Sequence, residues 1–524
     1  MTLGKAIKTA LYGAAALLPA TGAWALTPTQ VGALPASNII YVSGSTATDP
    51  AIQAFFKLDP AVDASAPCAA GTYDMYTTAT GYMLTCTAHG IFGGFNGQNF
   101  AFVKQTLGGS ATGIHNVNVG TSPGGFPDMS SPAAFAATCP ATGTPHAAAS
   151  PFQAFNSFAC TKAESSTIVP NAGISDEDPT TFIGTGGVSA ADATALKSVH
   201  AVQVPFAAVV SVSLRNRLQT AEGLTSGSET LANVPSLTSA QLRAIYSGQM
   251  LSLADLWVFD AAGNATQVDP TNSLVHICRR GDTSGTQFGA NIHFFGSGCS
   301  KGGGVGSVAV PDNGGSQANG ETWTGSAAQL ADFVFAGAGT GDVRNCAAAT
   351  AVAPGDAVAY RIGFTSTDQA IVSTTGFRFI AVNGVAPTIW NIQKGAYDWL
   401  TEDTFNSTTA SLGRNGSTNA GTIFSAINTN LSNVNALAGL NAASQNSAAP
   451  GDTTGAADTG IVTLGNTVLF GPSNVGGPTP ANGWPSAVRA IAHAGQGPNS
   501  TVSLTYPSQA VNNCNGAFIS NPTG

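Results

Sequence analysis

Four short stretches of this chain hold residue types that suit one kind of chemistry, the binding of an oxyanion. Gly44-Ser45-Thr46, Ser110-Ala111-Thr112 and Ser284-Gly285-Thr286 each follow an apolar run and precede a segment with helical spacing. A turn of small residues that opens a helix leaves backbone N–H groups without intrahelical partners, and such groups seat anions. The third turn belongs to "RRGDTSGTQ" (279–287), which adds Arg280 and Asp282. A guanidinium offers a planar fork of donors matched to a tetrahedral oxyanion, and Asp282, two residues on, is placed to steer it. The fourth stretch, "GISDEDP" (173–179), supplies Asp176. A carboxylate repels an anion unless that anion carries a proton, so Asp176 points to hydrogen phosphate and away from sulfate.

Each of these features also has a plainer reading. Gly-Ser-Thr turns occur in many ordinary loops, and Asp176-Glu177-Asp178 also reads as a solvated acidic turn. Arg279 is expected to point away as a surface or structural residue, and His276 to be core or surface. Ser45 and Thr112 read as turn formers first, with ligand contacts through backbone at most.

The elements that must hold these turns read as strand, turn and helix, repeated. "NIIYVSGSTATDPAIQAFFKLD" (38–59) gives a strand and then a helix, with Ile52, Phe55 and Phe56 at helical spacing and Pro50 in the first turn. "FAFVKQTLGGSATGIHNV" (100–117) and "SLVHICRRGDTSGTQFGANIHFFG" (273–296) repeat the theme. "VHAVQVPFAAVVSVSL" (199–214) is an almost unbroken apolar run that reads as a buried strand, and "LTSAQLRAIYSGQM" (237–250) as a helix started by Thr238 or Ser239 and stopped by Gly248. Strands alternating with helices predict an α/β fold with mainly parallel sheets, whose ligands bind at the carboxyl ends of strands. Residues 60–104 and 118–165 read as inserted loops, and 405–524, rich in Asn, Ser, Gly and Ala, as some helix and strand within long loops.

Composition narrows the class. Charged residues are only 9% and apolar ones 43% of 524 residues, against about 25% charged in an ordinary soluble domain. Lys5 and Lys8, the apolar run after them and "AWA" at 23–25 predict an export signal cleaved after Ala25. Its loss removes two lysines and no acid, taking the formal charge from −9 to −11, which disfavours a nucleic-acid partner. Cysteines at 68, 86, 139, 160, 278, 299, 346 and 514 suit an oxidising compartment; they form no CxxC pair, and no HExxH is present, so a metal site is not expected. Cys68 with Cys86, Cys139 with Cys160 and Cys278 with Cys299 are expected as local pairs, leaving Cys346 with Cys514.

At the level of motifs the chain resembles the phosphate-binding components of Pst-type ABC importers, which are type 2 periplasmic binding proteins. "GST" (44–46) is similar to the family's first phosphate loop, "GGSATGI" (108–114) to its Gly-Ser-Ser-Gly-Gly loop, "GISDEDP" to its Gly-Ala-Ser-Asp-Ala-Pro, and "RRGDTSGT" (279–286) to its Arg-Arg-Ala-Asp-Gly-Ser-Gly-Thr. The flanking "VPFAAVVSVSL", "YRIGFTSTD" and "NGVAPTIWNIQKGAY" also look like family landmarks, in order. One departure is Asp49, three residues after Thr46, where close relatives run Phe-Pro.

The resemblance implies a phosphate ligand held by Thr46, Ser110, Asp176 as proton acceptor, Arg280, Ser284, Gly285 and Thr286, with Asp282 in support. It implies two lobes, 26–205 with 400–524 and 206–399, hinged near 202–208 and 396–402. It further implies an exported, periplasmic or extracellular monomer without cofactor that serves a membrane permease. A nucleophilic enzyme is the rival class, an alkaline phosphatase-like activity being its best form, although there is no GxSxG elbow and the seven histidines are scattered. A cell-surface protein reusing the fold is a third reading.

Overall fold

A computed structural model describes residues 25–431 of the chain apart from 130–131, 162–163, 166, 272, 296–319, 354, 368–374 and 388–396. The expected export signal up to residue 24, together with Cys299 and Cys514, lies outside the described residues, as does the chain from 432 onward.

Runs of β-branched and aromatic residues form the strands, and the small-residue turns end them. Strand β1 (Ile39–Gly44) is buried along its whole length. It is followed by helix α1 (Asp49–Lys57), which carries Pro50 in its first turn and buries Ile52, Phe55 and Phe56. Next come β2 (Asp74–Thr77), β3 (Gly81–Thr87), β4 (Asn99–Gln105), the single helical turn α2 (Gly109–Thr112), β5 (Phe155–Ala159) and β6 (Ala172–Ser175). The long strand β7 (Lys197–Ser211) leads to α3 (Ser239–Tyr246), β8 (His276–Arg280) and α4 (Gly285–Phe295). The last elements used below are β9 (Val334–Gly337), α5 (Thr340–Ala348), β10 (Arg361–Ser366) and β11 (Leu400–Ser407). Helix α3 starts at Thr238, whose hydroxyl accepts from the Gln241 N–H while Gln241 reaches back to the Thr238 N–H. Thr238, rather than Ser239, is therefore the cap.

The strands form one continuous sheet with two parallel centres. β1 runs parallel to β4 on one side and β6 on the other, and β8 runs parallel to β9 and β10. Between these centres lie β7 and β11, paired antiparallel from Lys197 to Pro205; β7 then pairs with β10 from Phe206 onward. A single strand thus belongs to both halves, and β11 returns beside it to meet β6. The result is an α/β fold of two lobes, each with a parallel centre flanked by helices, joined by two crossing strands.

Two expectations are corrected here. Residues 60–104 and 118–165 are not simply loops: β2, β3 and β5 extend the first lobe's sheet beyond β4, with Asp74 to Thr77 pairing Asn156 to Ala159 in parallel. They share the lobe's core, since the Phe56 ring of α1 lies 5.7 Å from Phe102 and 6.5 Å from Tyr73. A second apolar cluster, with Tyr76 stacked on Phe158 at 4.6 Å, fills the other face. The disulfides differ as well. Cys68–Cys86 and Cys139–Cys160 form, but Cys278 bonds Cys346, not Cys299. β8 and β9 are parallel neighbours, so the helix that follows β9 folds back across β8 and brings Cys346 to Cys278. That pairing also excludes the expected bond from Cys346 to Cys514.

Candidate functional site

The turns after β1, β4 and β6 in the first lobe meet the turn after β8 in the second, all at the carboxyl ends of parallel strands. Asp176, the residue after β6, is at the centre and 2% exposed. One of its carboxylate oxygens accepts from the Ser45 hydroxyl, and the other from the Thr286 hydroxyl at 3.4 Å. Its own backbone N–H donates to Ser110 Oγ at 3.2 Å, and the Gly285 N–H from the second lobe donates to that same oxygen at 3.1 Å. A further bond between the lobes runs from the Ala111 N–H to the Thr283 carbonyl at 3.1 Å.

Glycine is required where the lobes touch. Gly109 has φ +61°, and a Cβ there would stand 2.8 Å from the Thr283 carbonyl oxygen. At Gly285 a Cβ would fall 2.4 Å from Ser110 Oγ and 2.5 Å from Asp176 Cβ. No side chain fits at either position while the lobes stay together.

Two cations face the acid. Arg280 is 3% exposed and donates from Nε to the Gly337 carbonyl (3.3 Å), from Nη1 to Thr340 Oγ1 (3.0 Å) and from Nη2 to the Ala338 carbonyl (2.9 Å). Among the described residues these use three of the five guanidinium N–H groups and leave one on each terminal nitrogen. Lys104, in β4, is wholly buried, and its ammonium donates to the carbonyls of Gly44 (2.9 Å) and Gln105 (2.8 Å). Burial pushes the Asp176 carboxyl up to about 7, against the opposing pull of the Arg280 and Lys104 charges. Burial likewise brings Arg280 down to about 10, with Asp176 and Asp342 holding it from falling further.

The expected residues are not all brought together. Ser110, Asp176, Gly285 and Thr286 share one hydrogen-bonded cluster, and Arg280 acts on it electrostatically. Thr46 is half-buried and makes no side-chain hydrogen bond among the described residues, while the hydroxyl of its neighbour Ser45 donates to Asp176. Ser284 is buried and supports α4 through its carbonyl, which accepts the Phe288 N–H at 3.0 Å. Asp282 does not steer Arg280: its carboxylate accepts from Arg279 Nη1 at 2.9 Å. Consecutive strand residues point to opposite faces, so Arg280 faces β9 and the seat. Arg279 enters a small enclosed space among Tyr246, Gln287, Ala290 and Phe364.

The acidic run is not a solvated turn. Asp176 occupies the seat, Glu177 is 1% exposed beside Gly289, and Asp178 caps the following turn by accepting the Thr180 N–H at 2.8 Å. His276 lies at the start of β8, away from the seat, with Asp356 at 2.7 Å and the Asp332 carbonyl at 2.8 Å. Sequence reading missed Lys104 and Thr340, and noted Asp49 only as a departure from the family pattern. A signal existed for the first, since Lys104 is the one charge in the apolar strand "NFAFVKQ". Among the described residues no group of three His, Cys, Asp or Glu side chains could hold a metal ion, and no helix is long and apolar enough to cross a membrane. Chemically, the cluster is a carboxylate acceptor ringed by hydroxyl and N–H donors from both lobes.

No protein-family model and no curated protein matches the chain. Solved structures of similar shape include a protein from Clostridium perfringens described as a phosphate ABC transporter substrate-binding protein with bound phosphate. It is 14% identical, with a TM-score of 0.36, over 75% of this chain and 96% of that one. An ABC-type phosphate transport receptor from Vibrio cholerae is 13% identical, with a TM-score of 0.31, over 74% and 92% of the two chains. A phosphate-binding protein from Stenotrophomonas maltophilia is 11% identical, with a TM-score of 0.32, over 72% and 82%.

Proposed function

We propose that this chain captures inorganic phosphate between its two lobes, as an exported monomeric binding protein that delivers the ion to a membrane ABC permease. The observation that carries the reading is Asp176, a buried acceptor surrounded by the donors of Ser45, Thr286 and Gly285. When phosphate enters, its oxygens take over these hydroxyl and N–H donors and the two remaining Arg280 N–H groups. Asp176 accepts the ion's proton. Enclosure removes the ion's hydration, so each lost water contact must be replaced by a donor, and the proton must find an acceptor. Sulfate has no proton at neutral pH and would leave an anion oxygen facing a carboxylate, an arrangement that costs binding.

Calorimetry on the mature chain at pH 8 tests this directly. Phosphate should bind and sulfate should bind at least about tenfold more weakly, the difference expected when a buried acceptor is left facing an unprotonated oxygen. Equal binding of the two ions, or no binding of either, overturns the proposal. Arg280→Ala should abolish the phosphate signal.

A further inference from the structure

Lys104 is a buried charged side chain beside the seat that no contact to the ligand requires. It stands in the strand NFAFVKQ, whose other buried residues are apolar or neutral, and it is 0% exposed. Its ammonium holds the carbonyls of Gly44 and Gln105 at 2.9 and 2.8 Å and faces Asp49 Oδ1 of α1 at 3.8 Å. The Tyr82 hydroxyl of β3 donates to that same Asp49 oxygen at 2.9 Å. Gly44 immediately precedes Ser45, whose hydroxyl donates to Asp176. Lys104 is thus one residue behind the turn that delivers a donor to the acid.

The charges facing Asp176 come from three elements: Arg280 of β8, Lys104 of β4 and Asp49 of α1. With every group ionised, Lys104 and Arg280 balance Asp49 and Asp176. Without Lys104 the buried group carries a net negative charge, and a proton on Asp176 is the local way to remove it. A protonated Asp176 is a donor, and a donor welcomes the fully deprotonated oxygen that the carboxylate turns away.

We propose that Lys104 is a specificity-determining residue: it shifts Asp176 toward its ionised form and so strengthens rejection of oxyanions that carry no proton. This rests on the phosphate reading of the seat. The direction of each effect agrees with the geometry. Burial drives Asp176 upward while Arg280 and then Lys104 draw it down, and Lys104, itself lowered by burial, is held up by Asp49 and then Asp176.

The test has two parts, both on the mature chain. In the ligand-free protein, the carboxyl carbon of Asp176 is titrated by NMR with labelled aspartate, its resonance identified by its loss in Asp176→Asn. Lys104→Met should raise the midpoint by about one unit or more, and Lys104→Arg should leave it near the wild-type value. In calorimetry at pH 7, Lys104→Met should lower the ratio of phosphate to sulfate affinity by about tenfold, the factor that one unit corresponds to. An unchanged midpoint, or equal losses for both anions, overturns the proposal, because a residue that only pins the Gly44 carbonyl would weaken both alike. If Lys104→Met fails to fold, Lys104→Met with Asp49→Asn keeps the buried charge balanced and should move the midpoint the same way by less. If the wild type binds neither anion, the phosphate reading fails, and the midpoint alone decides whether Lys104 shifts Asp176 toward its ionised form.

Discussion

Ser110 Oγ accepts one N–H from each lobe, so at the scale of single residues the seat is a set of donors already committed to partners. Asp176 sets its pH behaviour. Its carboxyl rises from an ordinary 3.8 to about 7, so the folded chain holds the proton more tightly than the unfolded one does. The stability this proton confers is full below about pH 4 and is lost as the pH climbs through about 7. Asp176→Asn should therefore narrow the difference in melting temperature between pH 5 and pH 8, as thermal melts across that range will record. Some slope remains, because Asp74 and Glu222 are also lifted by burial, to about 6 and about 7. Gly285→Ala makes a different prediction. Its Cβ overlaps Ser110 and Asp176, and overpacking of this kind costs about 1–3 kcal/mol. Phosphate affinity should fall by about ten- to a hundredfold in calorimetry, with the fold intact by circular dichroism. Residue types were legible in the sequence, whereas facing directions were only partly so. Strand alternation separates Arg279 from Arg280, yet nothing in "RRGDTSGT" says that Asp282 pairs with the former. Ser45 turns its hydroxyl to Asp176 because the orientation at the end of β1 is set by the Ser45 N–H bonding the Ile174 carbonyl at 2.9 Å, 129 residues away in sequence.

Among the elements, the strand–turn–helix units were the most legible, since period and turn chemistry agree there over more than ten residues. The extension formed by β2, β3 and β5 was not. Its strands are 4 to 7 residues long, and β2 finds its parallel partner in β5 about eighty residues later. Short strands paired over such distances leave little local pattern to read. The disulfide Cys278–Cys346 has the same cause: adjacency in the sheet, not in sequence, decides it. It ties α5, which carries Thr340 against Arg280, to the strand that carries Arg280 itself. Closing a loop of 68 residues corresponds to about 4 kcal/mol in the chain-entropy picture. Cys278→Ser with Cys346→Ser should lower the free energy of unfolding by roughly 3–4 kcal/mol, measured by denaturant titration. A loss below about 1 kcal/mol would mean that β8 and α5 hold together without the bond.

At the scale of the whole molecule, two lobes share β7, and β11 runs beside it, so any rocking of one lobe against the other must pass through these strands. Trp399, just before β11, lies under the second lobe's α4, stacked on His293 with ring centres 5.3 Å apart. The expected crossings near 202–208 and 396–402 rest on the resemblance, and of the second only 397–402 lie within the described residues. The lobes touch through the Gly285–Ser110 and Ala111–Thr283 bonds. This contact has a kinetic consequence. On the proposed phosphate reading an ion reaches Asp176 only once those bonds part, so capture requires an open form of the protein. The observed rate of binding should then rise with phosphate concentration and level off at the rate of opening, a plateau that stopped-flow Trp fluorescence can resolve. A rate that stays linear to high phosphate would mean that the ion enters without parting the lobes. The same waiting step weakens the measured affinity in proportion to the open fraction, so a substitution that loosens only the Ala111–Thr283 contact should speed capture while leaving every ligand contact in place.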